Sequence, residues 1–426
     1  MTDSKKIQKG EIDVVQRIKN DISQSKTTNI PSSIVQKLGR GLHNRQTHPI
    51  CIIKELIYDY FNSLQTTKGR KFSTHDDIPP LSSTESNFDR LLIPKDHRAR
   101  SKSDTYYVSD SHVLRTHTSA HQNELLEAGE TAFLVTGDVY RKDEIDSTHY
   151  PVFHQMEGLY VDLDESMTEE EIKDDLIDTL KGLCNHLFPD CPVRVNSDYF
   201  PFTDPSFEME VYHKDRWLEI LGCGVIQSQI IKNCSESNPQ LKSTKRSTGV
   251  KLGWAFGLGL ERLAMILFEI PDIRLMWVDS DKFTSQFTPK TISKFKPYSV
   301  LDTIGKDVSF YIPHDQVEES PTGKVDNLEK VTDKKTGVVR VWTRENDMCD
   351  VIRETANSVY PDIIARVEMF DQFYNAKLSK LSRAYRIYYS PPDPEMSDPG
   401  RFTTIVNQLH ADIAKEIGLA LHLTIR

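Results

Sequence analysis

The sequence predicts an α+β protein of two units, in which mostly antiparallel strands are covered by helices. Between residues 105 and 287, short β-forming runs alternate with helical stretches. After a proline-containing segment at 286–297, a second set of strands and helices follows in its own order. Two such patterns in a chain of 426 residues predict two folded units rather than one core.

The elements of the first unit are predicted from hydrophobic periodicity. An apolar helical pattern begins near His48, and residues 62–104, rich in Ser, Thr, Asp and Pro, are predicted as loop. The predicted strands are 131–140, 153–163 and 217–226, and the predicted helices are 168–187 and 259–268. This alternation of short strands and helices favours an antiparallel sheet with flanking helices.

The second unit shows the order strand, helix, strand, strand, helix, strand. The predicted strands are 299–312, 365–373, 382–389 and 421–425, the helices are 348–359 and 402–417, and a polar loop is expected at 315–338. This order is the split βαβ arrangement.

The patterns predict four segments along the chain. These are an N-terminal extension at 1–45, a first unit at 46–285, a linker at 286–297 and a second unit at 298–426. The opening residues are polar with only a weak helical period, which is why they are assigned to an extension. Residues 1–30 mix acidic and basic side chains, so no clean targeting signal is recognised in them.

Composition limits the classes of function. The formal net charge of -10 argues against a protein whose whole surface binds nucleic acid, so any RNA contact is expected to be local. The six cysteines are scattered without a CxxC pair, which favours reduced thiols over a disulfide framework or a zinc site. The sequence holds no apolar run near the roughly 20 residues of a membrane span.

Three motifs carry groups suited to amino-acid and polyphosphate chemistry. The first, LRTHTSAHQ at 114–122, places hydroxyl, imidazole and amide groups at a strand-to-helix turn. Helix capping and turn polarity explain this motif as well as a binding role does.

The second motif is GDVYRKDE at 137–144 followed by HYPVFHQMEG at 149–158. If the two runs are antiparallel strands, alternation places Phe153, Gln155 and Glu157 on one face, near Arg141. A guanidinium pairs with phosphate, a phenyl ring stacks on a base, and Gln with Glu can hold an ammonium group. The alternative is a surface hairpin held by salt bridges.

The third motif is GWAFGLGLERLAM at 253–265. Glycines directly before a helix allow close approach of a ligand, and Arg262 lies in the first turn, where the helix dipole favours an anion. A glycine-rich loop alone is a weak signal, whereas the string FGLGLER is far more specific.

The second and third motifs resemble motifs 2 and 3 of class II aminoacyl-tRNA synthetases. The strings HTSAHQ, THYPVFHQMEG, YFPFTDPSFEME and GWAFGLGLERLAM resemble the phenylalanine-specific members, and the chain as a whole resembles their single-chain, mitochondrial form. The resemblance covers nearly everything beyond residue 40. It implies a class II antiparallel sheet with flanking helices, followed by a C-terminal ferredoxin-like (split βαβ) anticodon-binding domain.

The resemblance also implies roles for individual residues. Arg141 and Arg262 are expected as catalytic residues that hold the α- and γ-phosphates of ATP, with Phe153 stacked on adenine and His149 beside the phosphates. Glu210 and Glu219 are expected to orient ATP or its magnesium ion. The phenylalanine site is expected to comprise His117, Ser119, Ala120, His121, Gln122, Thr148, Tyr150, Gln155, Met156, Glu157, Phe200, Phe202, Cys223, Ala255 and Phe256.

The implied activity is the ATP-dependent ligation of phenylalanine to tRNA(Phe) in mitochondrial translation. The implied cofactors are ATP and Mg2+, and the enzyme is expected to be a monomer of the mitochondrial matrix without a partner subunit or membrane contact. The resemblance also implies that the acyl group is transferred to the 2′-hydroxyl of the terminal ribose.

Contact with the anticodon end of tRNA is expected in the second unit. Lys377, Lys380, Arg383 and Arg386 recur every three residues beside tyrosines, and such groups suit single-stranded RNA. An edge strand protected by lysines is the alternative.

Two other functions remain open on the sequence: a related synthetase with another substrate, and a tRNA-binding paralogue without activity. The Phe200 and Phe202 pair with Ala255 argues against the first, and the presence of both Arg141 and Arg262 argues against the second.

Overall fold

The computed structural model describes residues 3–297, 301–320, 330–332, 338–392 and 396–426. Its helices are α1 (Asp3–Gln24), α2 (Ser32–Val35), α3 (Pro49–Lys68), α4 (Thr84–Asn87), α5 (Gln122–Glu127), α6 (Glu169–Leu187), α7 (Ser228–Cys234), α8 (Leu260–Leu267), α9 (Asp281–Thr284), α10 (Glu345–Asn357) and α11 (Pro399–Ala420). Its strands are β1 (Ser73–His75), β2 (Leu81–Ser83), β3 (Tyr107–Ser109), β4 (His112–Leu114), β5 (Ala132–Tyr140), β6 (Val152–Val161), β7 (Val193–Asp198), β8 (Thr203–His213), β9 (Arg216–Ile226), β10 (Gly253–Gly259), β11 (Ile304–Ile312), β12 (Val317–Ser320), β13 (Lys330–Thr332), β14 (Val339–Trp342), β15 (Ile364–Asn375), β16 (Lys380–Tyr389) and β17 (Thr424–Ile425).

A seven-stranded sheet in the order β1-β5-β6-β10-β9-β8-β7 is the centre of the first part of the chain. Only the short pair of β1 and β5 in this sheet is parallel, and every other neighbouring pair is antiparallel. Helices α3, α6 and α8 pack on one face through residues such as Ile57, Leu180 and Leu263, which are fully buried. The other face of β6, β9 and β10 therefore remains available for a site. The mostly antiparallel sheet with flanking helices that the sequence predicts is therefore found in the structure.

The N-terminal segment, predicted as an extension at 1–45, packs into this first core. Ile18 and Ile22, one turn apart on α1, are 1% and 6% exposed, and Leu38 and Leu42 are also buried. Because i and i+4 positions share one helix face, a short apolar stripe is enough to dock an otherwise polar helix.

The segment expected as a linker at 286–297 is also tied to the first core. Phe287 and Phe295 are buried there, and the backbone N–H of Phe295 donates to the carbonyl of Phe268 at 2.6 Å. The chain therefore leaves the first core only after Phe295.

The C-terminal part has a four-stranded antiparallel sheet in the order β15-β16-β11-β17, with α10 and α11 on one face. Val308, Phe310 and Ile387 point to the helices and are buried with Ile352 and Leu409. A small three-stranded sheet of β12, β14 and β13 comes between β11 and α10 in the chain, and its strands β12 and β13 fall within the region expected as a polar loop at 315–338. Residues 298–300, 321–329 and 333–337 of the predicted strand and loop lie outside the described residues.

The two parts of the chain contact each other extensively. Lys142 Nζ lies 2.9 Å from Asp347 and 3.3 Å from Asp350, and the backbone N–H of Val367 donates to the carbonyl of Ile145 at 2.9 Å. The side chain of Ile145 is buried in the C-terminal core. None of the helices in the described ranges has the length and hydropathy needed to cross a membrane.

Candidate active site

A cleft of about 1570 Å³ opens on the face of the sheet formed by β6, β9 and β10. Its walls come from the turn at 116–119, the segment at 198–203 before and at the start of β8, and the loop at 97–99. Residues of the C-terminal part, among them Glu345 and Met369, complete one side. The cleft therefore collects side chains from all three sequence motifs.

Alternation along β6 places the second motif as predicted. Gln155 and Glu157 line the cleft, whereas His154 and Met156 are buried on the opposite face of the sheet. Phe153 shares the parity of Gln155, and the guanidinium carbon of Arg141 lies 5.3 Å from the centre of its ring. The two-residue period of a strand determines this arrangement.

Two buried oxygen atoms in the cleft lack hydrogen-bond partners among the residues that the structure describes. They are Oε1 of Gln122 and Oε1 of Glu157, each inaccessible to solvent. Burial raises the pKa of Glu157 to about 8, even though a hydrogen bond from Ser119 acts in the opposite direction. A buried acceptor without a donor is costly unless a ligand supplies one, so these atoms indicate a site for hydrogen-bond donors.

The first motif forms the wall next to these acceptors. His117, Ser119 and Gln122 line the cleft from a 3₁₀ turn and the start of α5. Burial, and then the nearby charge of Arg141, lower the pKa of His117 to about 3, so its imidazole is neutral at physiological pH. Arg141 donates from Nε to the carbonyl of Thr116 at 2.7 Å, which fixes its guanidinium against this turn.

An aromatic surface lies at the same end of the cleft. The rings of Phe200 and Phe202 are 5.9 Å apart and nearly parallel, with an interplanar angle of 13°. A Cβ at Gly222 would lie 2.7 Å from the ring of Phe200, so only glycine fits under this ring. The remaining apolar lining includes Cys223, Ala255 and Phe256. Burial raises the pKa of the Cys223 thiol to about 12, so this side chain is an uncharged part of the surface.

A further group of charged side chains lies near Gln155, and of these Glu219 lines the cleft whereas Arg262 and Glu210 do not. Arg262, in the first turn of α8, donates to Glu219 at 3.0 Å, and both side chains are more than half exposed. Glu219 lines the cleft and is the direct cross-strand neighbour of Glu210, so the two carboxylates share one face of the sheet. Glu210 pairs with Arg194 and with Asn196.

Not every residue expected in the site lies in this lining. Ala120 and His121 are buried behind the turn, because His121 is held between Arg115 and Glu124 at 3.1 Å from each. Met156 is in the core, since its position in β6 has the wrong parity. These side chains were included in the predicted site because they belong to the motifs. Strand alternation removes Met156 from the cleft lining, and the conformation of the turn removes Ala120 and His121.

The side chains of residues 148–150 do not line the cleft. His149 pairs with Asp146 at 2.7 Å, which raises the pKa of the imidazole, and Thr148 bonds to the same carboxylate. Tyr150 donates to Asp362 at 2.7 Å. The expected positions of Thr148, His149 and Tyr150 beside the substrates are therefore not found in this arrangement.

Of the four basic residues predicted to bind tRNA, Arg383 is buried instead of lying on the surface. Arg383 is 1% exposed and bonds to Glu345 at 2.8 Å and to the hydroxyl of Tyr385 at 2.9 Å. A spacing of three residues alternates between the two faces of a strand, so Arg383 and Arg386 of β16 point in opposite directions. Arg386, Lys377 and Lys380 are at least partly exposed.

Sequence reasoning missed several residues of the lining. Tyr199 lines the cleft and is 75% exposed, and only its position beside Phe200 could have indicated it. Glu345, Asn346 and Val367 come from the C-terminal part, and no local sequence pattern reveals a contact across so many residues.

Comparison with known proteins agrees with this geometry. Residues 35–287 match the family model of the tRNA synthetases class II core domain (F). The chain is 42% identical over 417 residues to the chloroplastic/mitochondrial phenylalanine–tRNA ligase of Arabidopsis thaliana, covering 96% of this chain and 85% of that protein. It is 38% identical over 401 residues to the mitochondrial phenylalanine–tRNA ligase of Mus musculus, covering 86% and 80%.

A third relative is the mitochondrial phenylalanine–tRNA ligase of Saccharomyces cerevisiae, with 32% identity over 471 residues and coverage of 93% and 92%. All three names include the mitochondrion, which confirms the organelle expected from the sequence. Because the similarity spans most of both chains in each case, the chain belongs to the mitochondrial phenylalanine–tRNA ligases, a family of class II aminoacyl-tRNA synthetases.

Proposed function

We propose that the cleft joins phenylalanine to ATP as phenylalanyl-adenylate and then passes the phenylalanyl group to tRNA(Phe) in mitochondrial translation. The observation that carries this proposal is the meeting of unsatisfied acceptors, a cation and an aromatic surface in one cleft. Gln122 and Glu157 offer oxygen atoms without donors, Arg141 supplies the charge, and Phe200 with Phe202 supply the apolar surface.

The amino-acid end of the substrate site is assigned from these contacts. The ammonium group of phenylalanine would donate to Glu157 and to the amide oxygens of Gln122 and Gln155. The neutral His117 would donate to the substrate carboxylate, and the hydroxyl of Ser119 would do so once the ammonium group has replaced it at Glu157. The substrate ring would pack on Phe200 and Phe202, and Cys223, Ala255 and Phe256 would close the pocket around it.

The nucleotide end is assigned to Arg141, Phe153 and Arg262. Phe153 would stack on adenine, Arg141 would hold the α-phosphate, and Arg262 would turn from Glu219 to the γ-phosphate. Magnesium bound with ATP usually has one or two protein carboxylates and completes its shell with phosphate oxygens and water. The neighbouring pair Glu210 and Glu219 fits this requirement, so these two residues would hold the ion, which would neutralise phosphate charge.

The reaction needs no nucleophile from the protein. A carboxylate oxygen of phenylalanine attacks the α-phosphorus in line, the bond to the bridging oxygen breaks, and pyrophosphate leaves. The terminal ribose hydroxyl then attacks the carbonyl carbon of the adenylate, and AMP leaves. Arg141 contributes by holding its guanidinium in place before reaction, through its bond to Thr116, and by balancing the charge that develops on the α-phosphate.

Pyrophosphate exchange that depends on phenylalanine and ATP tests the proposal. Arg141→Ala should lower kcat/KM for exchange by about a hundredfold or more, because a preorganised charge is lost. Arg90→Ala is the control, since Arg90 also pairs with a carboxylate, Glu127, but does not line the cleft. Absence of exchange by the unaltered protein would leave only a tRNA-binding role.

We also propose that the C-terminal part is a ferredoxin-like anticodon-binding domain. The hydrophobic core of the C-terminal part includes only one residue from before residue 301, Ile145, and this supports a division into a catalytic domain up to about Phe295 and a second domain from residue 301 onwards. The sheet order β15-β16-β11-β17 with two helices on one face supports the ferredoxin-like assignment.

The proposed tRNA surface is the outer face of this sheet. The guanidinium of Arg366 lies 4.1 Å from the ring centre of Tyr388, and that of Arg386 lies 5.4 Å from the ring centre of Phe370. Alternating arginines and exposed rings suit unpaired bases and their phosphates. Lys377 and Lys380, at the turn between β15 and β16, extend this surface, and Arg383 does not belong to it.

We propose a monomer as the working form. The single chain supplies both the cleft and the proposed tRNA surface, so neither needs a residue from a second copy. Light scattering of the purified protein at several concentrations tests this, and a concentration-independent mass of two chains would contradict it.

A further inference from the structure

A buried carboxylate joins the second and third motifs on the face of the sheet opposite the cleft. Oε2 of Glu261 accepts from the backbone N–H of His154 at 2.6 Å, and Oε1 lies 2.7 Å from Nδ1 of the same residue. The side chains of Glu261 and His154 are 4% and 1% exposed. One carboxylate thus binds one residue through both its peptide group and its ring.

The two partners are direct chain neighbours of residues in the ATP site. His154 follows Phe153 in β6, and Glu261 precedes Arg262 in the first turn of α8. The imidazole of His154 is itself stacked on Trp277, with ring centres 5.7 Å apart. A displacement of Glu261 relative to His154 would therefore change the distance between the adenine platform and the phosphate-binding arginine.

The arginine depends on this support because its own side chain is weakly held. Arg262 is 57% exposed, and the hydrogen bond that the structure gives it is the one to Glu219, itself half exposed. Exposed ion pairs contribute little to fixing a side chain. The position of Arg262 is thus determined mainly by the start of α8, and Glu261 is the buried polar group that ties this turn to β6.

We infer that Glu261 and His154 form a positioning pair that sets the spacing of Phe153 and Arg262, and so determines the affinity for ATP. The inference rests on the proposed ATP roles of those two neighbours. Neither Glu261 nor His154 touches the cleft, because their side chains point to the opposite face. Binding of phenylalanine, at the other end of the cleft, should depend far less on the pair.

The main test is Glu261→Gln, measured by pyrophosphate exchange over a range of ATP and phenylalanine concentrations. The two donors of His154 contact different oxygens of Glu261, and in glutamine an NH2 group replaces one of these oxygens, so one of the two contacts loses its acceptor. We expect the KM for ATP to rise by about tenfold, because the variant loses one hydrogen bond to a charged acceptor. The KM for phenylalanine should change by less than about twofold.

Asp162→Asn is the matched control. Asp162 is 1% exposed and also accepts from one backbone N–H, that of Met167 at 2.9 Å, and from one side chain, that of Ser166 at 3.2 Å. It lies at the end of β6 away from the cleft lining. Thermal unfolding should show a loss of stability for both variants, but Asp162→Asn should leave the KM for ATP unchanged. If the two variants change the KM for ATP equally, Glu261 and His154 only stabilise the fold, and the inference is wrong.

A second pair of variants separates hydrogen bonding from packing. His154→Asn keeps a donor near the position of Nδ1, and His154→Leu removes it. The KM for ATP should stay close to the original value with asparagine and rise with leucine, and the reverse order would contradict the inference.

Arg262→Ala tests the proposed function on which the inference rests. If this variant leaves the KM for ATP unchanged, the proposed ATP role of Arg262 is wrong. If Arg262→Ala raises the KM for ATP but Glu261→Gln does not, only the positioning pair is overturned.

Discussion

At the scale of single residues, the environment of Glu157 is unfavourable for the folded protein without substrate but suits the binding of a cation. Its carboxyl is buried with one oxygen unpaired, and burial raises its pKa from 4.5 to about 8. An ammonium group beside it would favour the charged form and lower this pKa again. The residue is therefore poorly satisfied in the empty cleft and is satisfied by a cationic substrate.

This conflict predicts that binding of phenylalanine strengthens with rising pH. Below pH 8 the empty site holds a proton that must leave when the ammonium binds, so the KM for phenylalanine in exchange should fall by up to about tenfold per unit from pH 6.5 to 7.5. Above about pH 8 this dependence should level off, because Glu157 is already ionised. Glu157→Gln should bind phenylalanine more weakly and with a flat profile over this range, and an unchanged slope in the variant would exclude Glu157 as its source.

Protein stability should respond to the same group in the opposite direction. Between pH 4.5 and 8 the folded state keeps the Glu157 proton and the unfolded chain loses it, so the contribution of the protonated group to stability is lost as the pH rises through this window. Glu157→Gln removes this effect, so the variant should melt at a higher temperature than the unaltered protein at pH 8 and show a smaller advantage at pH 5. A lower melting temperature at both values would contradict the buried, unpaired state of the carboxyl.

Residue positions in the site were predictable where a strand's two-residue period applied. Phe153, Gln155 and Glu157 were placed on one face of β6 from alternation alone. The same rule assigns Met156 to the core, although the motif resemblance had included it in the site. His149 could not be placed from the sequence, because its partner Asp146 and the packing of its loop depend on the tertiary structure.

At the scale of elements, β16 shows why residue spacing must be interpreted with the element in mind. A basic residue at every third position suggests a continuous stripe, but a strand distributes such positions over both faces. Arg386 is exposed on the outer face, paired with Asp307 at 2.6 and 2.8 Å, whereas Arg383 is buried with Glu345 on the inner face. The two arginines are therefore expected to have separate roles.

Alanine at each position distinguishes these roles. Arg386→Ala should weaken tRNA binding and reduce the slope of affinity against salt concentration by about one, with no change in pyrophosphate exchange. Arg383→Ala should instead lower the free energy of unfolding by about 2–4 kcal/mol, because it removes the buried cation that pairs with Glu345 and donates to Tyr385. Filter binding at several salt concentrations and denaturant unfolding measure the two effects. A loss of salt dependence in folded Arg383→Ala would favour the original stripe.

At the scale of the whole molecule, the two cores were predictable but their contact was not. Changes in hydrophobic pattern located the elements on both sides of residue 297, since local periodicity follows from local geometry. The burial of Ile145 in the C-terminal core and the ion pairs of Lys142 with Asp347 and Asp350 join residues about 200 positions apart. Such contacts depend on surface complementarity, which leaves no periodic signal in either segment.

This contact has a consequence for tRNA binding. Val367 to Met369 of β15 line the cleft, so the proposed anticodon surface on the same sheet lies close to the proposed aminoacylation site. The anticodon and the acceptor end occupy opposite ends of a tRNA, so one molecule cannot reach both surfaces in this arrangement. If the C-terminal part binds the anticodon as proposed, it must move away from the cleft before transfer, whereas exchange involves only small substrates.

A disulfide across the contact should separate the two reactions. Ile145 and Val367 are joined by a backbone hydrogen bond of 2.9 Å, so cysteines at both positions are close enough to be bridged. The oxidised double variant Ile145→Cys/Val367→Cys should keep pyrophosphate exchange and lose aminoacylation, and dithiothreitol should restore it. Each single cysteine variant controls for the substitution, because it cannot form the bridge. In X-ray scattering, only the reduced form should change its shape when tRNA is added. If the oxidised form charges tRNA as fast as the reduced form does, no movement is required.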